Sequence, residues 1–223
     1  MPFRISPKRL LAGALFPRYS RFIDKLNRNA LFLDFARANT ATPLYDGRLE
    51  MFDDVIGRIG DGPIDYLEFG VWKGESIRYW SGKNAHPDSR FFGFDTFTGL
   101  PEDWDFRPAG TFNVEGHVPT IDDRRVSFVA GLFQRTLPDF LADFQPHNRL
   151  VLHLDADLYS ATMYVLARLH HLITPGTILI FDEFGDVQHE FRAYHDYVAS
   201  HIRECRTLCG SFQFYTAAFE VAA

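Results

Sequence analysis

Residues 149–162, RLVLHLDADLYSAT, run from an apolar stretch suited to a buried strand into Asp155 and Asp157, and then into helical spacing. One helix-length later, residues 176–186, GTILIFDEFGD, repeat the pattern and end on Asp182 and Glu183. A strand that is apolar throughout is covered on both faces, as in a parallel sheet. Carboxylates where such strands run out cost desolvation unless something pairs with them.

Working outward, the alternation continues. Apolar positions at three- and four-residue spacing predict helices over 8–38 and 48–60. Strands are expected at 64–69, 90–95, 125–131, 149–155 and 176–182, with helices over 74–84, 136–144, 160–172 and 187–202, and a hairpin over 206–222. Strand–helix alternation of this kind predicts an α/β fold with a doubly wound, mostly parallel sheet. Ligands of such sheets sit outside the carboxyl ends of the strands, which is where the four acids fall.

The chain has 223 residues, 46% hydrophobic and 23% charged, enough for a sizeable core, and most of its 23 Phe are expected inside it. A net charge of -6 argues against a nucleic-acid partner. Cys205 and Cys209 have no second Cys/His pair at zinc spacing, so reduced thiols and a cytoplasmic setting are expected. The basic N-terminal stretch with LLAGALF, residues 10–16, is short for a secretory segment and reads as an amphipathic arm, without stable membrane association.

The first strand-to-helix turn, LEFGVWKGES at 67–76, places Trp72 where a nicotinamide fingerprint needs its second glycine. Glu68 at the strand end suits an amino group better than a polyphosphate. Asp95 ends the next strand, roughly 20 residues on, the interval at which such sheets offer an acid to ribose hydroxyls. Ser76, at a helix N-terminus, can help hold a carboxylate. A nucleoside with a positive group and an amino-acid part answers this description, as S-adenosylmethionine does. The competing reading is that Glu68 and Asp95 only cap buried elements.

Asp155, Asp157, Asp182 and Glu183 would crowd one sheet edge, and repel unless a cation sits among them. All-oxygen ligands favour Mg²⁺, Mn²⁺ or Ca²⁺. Such an ion lowers the pKa of a bound hydroxyl, leaving a nearby carboxylate to take the proton. For Asp157 alone, helix capping competes with this reading.

With these pieces in view, the stretch from about Pro63 to His195 resembles the macrocin O-methyltransferase type of class I S-adenosylmethionine-dependent methyltransferase. The resemblance rests on LEFGVWKGES, FDTFTGLP, VAGLFQRTLP, LDADLYSAT, LITPGTILIFDEFG and HEFRAYHDY. It implies strand order 3-2-1-4-5 with a C-terminal antiparallel hairpin, a helical arm or lid over 1–60 and a methyltransferase domain over 61–223. It further implies that Glu68, Gly70 and Ser76 contact the methionine part of the donor, Asp95 the ribose, and Gly131, Leu132 and Phe133 the adenine. Mg²⁺ would be held by Asp155, Asp182 and Glu183, with Asp157 as general base. The acceptor implied is a hydroxylated small molecule, a sugar or glycosylated natural product, and a homo-oligomer is left open. Three departures stand out: Glu183 replaces the usual Asp, residues 101–125 lack a clear helix, and the arm keeps only GRL, residues 47–49.

Of the histidines, His153 interrupts an apolar strand and reads as a core residue or a support for the site. His189 and His195 are six apart, not a metal pair on one helix face. His117 lies in the irregular insert, and His170 and His171 end a helix. Trp104, Phe106 and Phe112 are candidates for an acceptor cleft or ordinary packing. Competing functions are a metal-independent methyltransferase, a nicotinamide oxidoreductase, and a non-catalytic subunit that binds S-adenosylmethionine.

Overall fold

The computed structural model describes residues 20–223, so the part of the expected arm over 1–19 lies outside the described residues. The chain divides into two compact units, Met1–Thr40 and Ala41–Ala223. In the first, helix α1 (Ser20–Ala38) carries the i,i+4 pair Arg28–Asp24 at 3.2 Å. Asn39 closes its end, donating from both its backbone and its side chain to the Phe35 carbonyl, at 3.1 and 2.9 Å. Carbonyls of a last helical turn lack intrahelical partners, and these bonds supply one.

The second unit is built on one eight-stranded sheet. In chain order its elements are β1 (Leu44–Tyr45), α2 (Arg48–Ile59), β2 (Ile64–Phe69), α3 (Glu75–Lys83), β3 (Arg90–Asp95), β4 (Val126–Ala130) and α4 (Phe133–Asp143). There follow β5 (Arg149–Leu154), α5 (Tyr159–Leu169), β6 (Ile178–Phe181), α6 (Glu190–Ser200), β7 (Cys205–Ser211) and β8 (Thr216–Val221). The sheet order is β1-β7-β8-β6-β5-β2-β3-β4. The parallel run β4-β3-β2-β5-β6 is the expected 3-2-1-4-5, and β7–β8 is the expected hairpin, antiparallel to β6. The two-residue β1, parallel to β7 at the sheet edge, has no periodic signature at that length. The helix expected over 48–60 is part of this unit, with Met51, Phe52 and Val55 fully buried.

Every residue of β2 is buried, its two acids included. Asp65 is tolerated because Arg90 grips it at 2.7 and 2.8 Å and the His147 and Asn148 N–H groups add bonds of 2.7 and 3.0 Å. Aromatic rings fill the layers on either side: Phe52, Tyr66 and Trp80 meet at 5.1–5.7 Å, and Phe69 stacks on Phe94 at 4.8 Å. Helix α4 contains Pro138, which cannot donate to the Gln134 carbonyl; the Tyr164 hydroxyl points to that oxygen at 3.5 Å. Residues 101–125 form no helix or strand, only a Trp104–Arg107 bridge and turns. No described helix is long and apolar enough to cross a membrane.

Candidate active site

The carboxyl ends of β2, β3, β5 and β6 open into a cleft of about 250 Å³. It is lined by Gly70, Ser76, Asp95, Leu132 and Phe133 and by Asp155, Asp157, Asp182 and Glu183, so nine of the eleven expected site residues meet there. Glu68 and Gly131 do not line it. Arg48, Trp72, Leu100 and Ser160 do, and were not among the expected site residues; Phe112, one of three aromatics considered for an acceptor cleft, lines it as well.

Glu68 lies beneath the cleft, 1% exposed, and accepts the Tyr66 hydroxyl proton at 2.6 Å. The same hydroxyl is 2.7 Å from His153 Nδ1. Gly131, at φ 139, donates its N–H to the Asp95 carbonyl at 2.8 Å, and so shapes the turn before α4. Asp95 braces the first turn: Oδ2 accepts from Val71 and Trp72 N–H at 2.8 and 2.7 Å, and Oδ1 from Phe97 N–H at 2.7 Å. These bonds use most of the roughly four acceptor positions of a carboxylate. Gly70 is required for a reason sequence could not show. At φ 101, a Cβ there would lie 1.6 Å from the Asp155 carbonyl oxygen, so the β2 and β5 loops pass too closely for any side chain.

The acids occupy the other side. Asp157 is buried with a left-handed backbone (φ 57), a conformation Asp tolerates better than most residues. It does not cap α5, whose N-terminus has no side-chain cap; instead the Tyr159 N–H donates to His189 Nδ1 at 3.2 Å. Burial, then the Asp182 charge, push the Asp157 carboxyl up to about 7. Burial also drives Asp155 and Glu183 upward, reinforced by the Asp182 charge at the first and the Asp155 charge at the second. Asp182 goes the other way. Burial opposes its ionisation, but His153 and Arg48 hold it below the ordinary carboxylate range. Arg48 Nη1 is 2.9 Å from Asp182 Oδ2, and His153 Nε2 is 3.6 Å from Oδ1. Despite complete burial, the His153 imidazole is raised to about 10 by the neighbouring carboxylates of Asp182 and Glu68, each 3.6 Å away. A chain of contacts therefore runs from buried Glu68 through His153 and Asp182 to half-buried Arg48.

A divalent cation fits this donor set. One oxygen each of Asp155, Asp157 and Glu183 lie within 4.8 Å of one another; ligand atoms of His153, Asp155 and Asp182 do so too, but the raised His153 imidazole keeps both ring protons and acts there as a cation, not as a ligand. Glu183 Oε2 is buried without a hydrogen-bond partner, and Asp182 Oδ1 has only the His153 imidazole, 3.6 Å away; a buried oxygen left without a partner wants a proton or a cation. Asp155 belongs to both groups.

A signal for Arg48 existed in the sequence. It opens helix α2, where a cation opposes the helix dipole, a placement that a carboxylate partner would offset.

Residues 117–205 match the family model of the macrocin O-methyltransferases (TylF), the family that the sequence motifs resemble. The mycinamicin III 3''-O-methyltransferase of Micromonospora griseorubida is 29% identical over 162 residues, 60% of this chain and 62% of that protein. The 8-demethyl-8-(2,3-dimethoxy-alpha-L-rhamnosyl)-tetracenomycin-C 4'-O-methyltransferase of Streptomyces olivaceus is 31% identical over 162 residues, 60% of each chain. The chain thus matches about three fifths of the length of these curated relatives. Among solved structures, the calicheamicin methyltransferase CalS11 superposes with a TM-score of 0.59 at 23% identity, over 98% of this chain and 94% of that one. The likeness to that structure is one of fold, a Rossmann-like α/β sheet flanked by helices.

Proposed function

We propose that this chain is an S-adenosylmethionine-dependent O-methyltransferase that methylates a hydroxyl of a sugar or glycosylated small molecule with the help of a divalent cation. One observation carries the reading: a single cleft joins the first-turn and β4–α4 residues expected for the donor to four carboxylates expected for a cation and a base. The two O-methyltransferases among the relatives support it, since the name of one specifies a rhamnosyl product.

S-adenosylmethionine would supply the methyl group as a sulfonium, and the cation would lower the pKa of the acceptor hydroxyl. The residues of this chain do the rest. The first turn of α3, with Ser76, offers N–H groups to the methionine carboxylate. Leu132 and Phe133 form an apolar wall for the adenine. Asp155, Glu183 and Asp182 would hold the cation, and Asp157 takes the hydroxyl proton as the new C–O bond replaces the C–S bond. Leu100, just before the irregular insert, and Phe112 within it narrow the cleft and exclude water. The rate gain expected is chiefly orientation plus activation of the nucleophile.

The Arg48 and His153 contacts favour a second reading, in which these cations already balance Asp182 and no metal is needed. The two are separated by thermal-shift measurements with S-adenosylmethionine, S-adenosylhomocysteine, NAD and Mg²⁺, followed by methyl transfer to hydroxylated glycosides with and without EDTA. Only ligands of the native state raise its melting point. The proposal predicts stabilisation by the two adenosyl ligands and chelator-sensitive transfer. Stabilisation by NAD alone would sink it, and full transfer in EDTA would favour the metal-free enzyme.

A further inference from the structure

Glu190 sits in the first turn of α6, fully buried, and no part of the proposed reaction uses it. Its two oxygens face two different loops. Oε1 accepts the Ala156 N–H at 3.2 Å, and Oε2 accepts the Glu183 N–H at 2.9 Å. Ala156 lies between Asp155 and Asp157, and Glu183 follows Asp182 directly. One carboxylate thus grips the backbone of both acid-bearing loops, β5–α5 and β6–α6.

We infer that Glu190 is a positioning residue that sets the spacing between these two loops and thereby pre-forms the divalent-cation site of the proposed methyltransferase. The inference rests on that functional reading for its ligand, and on the two hydrogen bonds for its geometry.

The chemistry of the side chain makes the assignment specific. Burying a carboxylate among other acids is costly, and an apolar residue could fill the same space without that cost. Only a carboxylate at this position accepts from both N–H groups at once. A glutamine has one acceptor oxygen, and its NH₂ would face one of the two N–H donors. Partners that orient metal ligands commonly set metal affinity by 10- to 100-fold when removed.

The test is Glu190→Gln, which keeps size and burial. Titration calorimetry with Mn²⁺ and, separately, with S-adenosylhomocysteine should show Mn²⁺ affinity falling about tenfold or more, with S-adenosylhomocysteine affinity within about twofold of wild type. Unchanged Mn²⁺ affinity overturns the inference. So does a parallel loss of both affinities with the melting point, which marks a merely structural residue. A second arm needs no ligand: amide hydrogen exchange at Ala156 and Glu183 should quicken in the variant, and unchanged exchange at both amides overturns the brace. If the variant does not fold, wild-type exchange decides. The two amides should be as slow as the β5 and β6 core, and loop-like exchange at either overturns the inference. A wild type that binds neither probe sinks the methyltransferase reading instead, and the ligand-free arm then judges the brace alone.

Discussion

Arg48 and Asp182 are 134 residues apart in the chain and 2.9 Å apart in space, the arginine at the start of α2 and the aspartate just past the end of β6. The same guanidinium reaches Glu75 at the start of α3, at 3.5 Å. One cation therefore ties two helix starts to the acidic edge of the sheet, and it competes for an oxygen that a metal would want. Arg48→Met should lower the melting point of the chelated protein, because Asp182 loses a charge partner worth about 1–3 kcal/mol. Mg²⁺ should then stabilise the variant more than the wild type, since one positive charge fewer repels it. Equal Mg²⁺ shifts in both proteins would show that Arg48 and the ion do not share Asp182.

Asp157→Asn tests the base. General-base catalysis contributes about 10²–10⁴-fold, so turnover should fall at least about a hundredfold with S-adenosylhomocysteine affinity within about twofold of wild type. Single-turnover transfer at saturating donor measures this. Retained turnover would move the base elsewhere.

Gly70→Ala should be among the most disruptive small changes available. The added Cβ meets the Asp155 carbonyl oxygen, backbone that cannot swing aside, and φ is already 101. A loss of more than about 2 kcal/mol is expected, read from urea denaturation. Gly82→Ala is the control, because a Cβ at Gly82 meets nothing within 4 Å.

Acid stability follows from Asp65. Burial pushes its carboxyl up, but the Arg90 guanidinium and the N–H groups of Asn148 and His147 outweigh it, so the folded-state pKa lies below the ordinary carboxylate value. A depressed acid contributes stability above its unfolded pKa, about 4, and that contribution is lost as pH falls through the folded value. Asp65→Asn should therefore cost about 2–3 kcal/mol at pH 7 and flatten the decline of the melting point between about pH 5 and 3. A variant that declines as steeply as wild type would assign the acid transition to other carboxylates.

Much of the site was legible because strand ends are legible. Asp95, Asp155 and Asp182 each follow an apolar run, and a doubly wound sheet brings such ends to one edge whatever the side chains later do. Glu68 was picked out for the same reason. Its place near the strand end suggested a ligand contact, whereas Tyr66 and His153 engage it below the cleft. Glu190 gave no signal, since a glutamate in the first turn of a helix is ordinary. The insert of residues 101–125 was equally opaque. Its Trp104 indole N–H donates to Asp186 at 2.9 Å, a long-range contact that no local periodicity encodes.

From its residues alone this chain had committed itself to strand–helix alternation and to acids at the strand ends, because side-chain period and strand burial are local properties read a few residues at a time; the sheet order was implied only by the family resemblance. Which acid faces which cation was settled only when the chain closed up. Arg48 on Asp182, His153 between Glu68 and Asp182, and Glu190 across two loops are contacts between distant segments. Their energies depend on distance and burial, which exist only in the folded molecule.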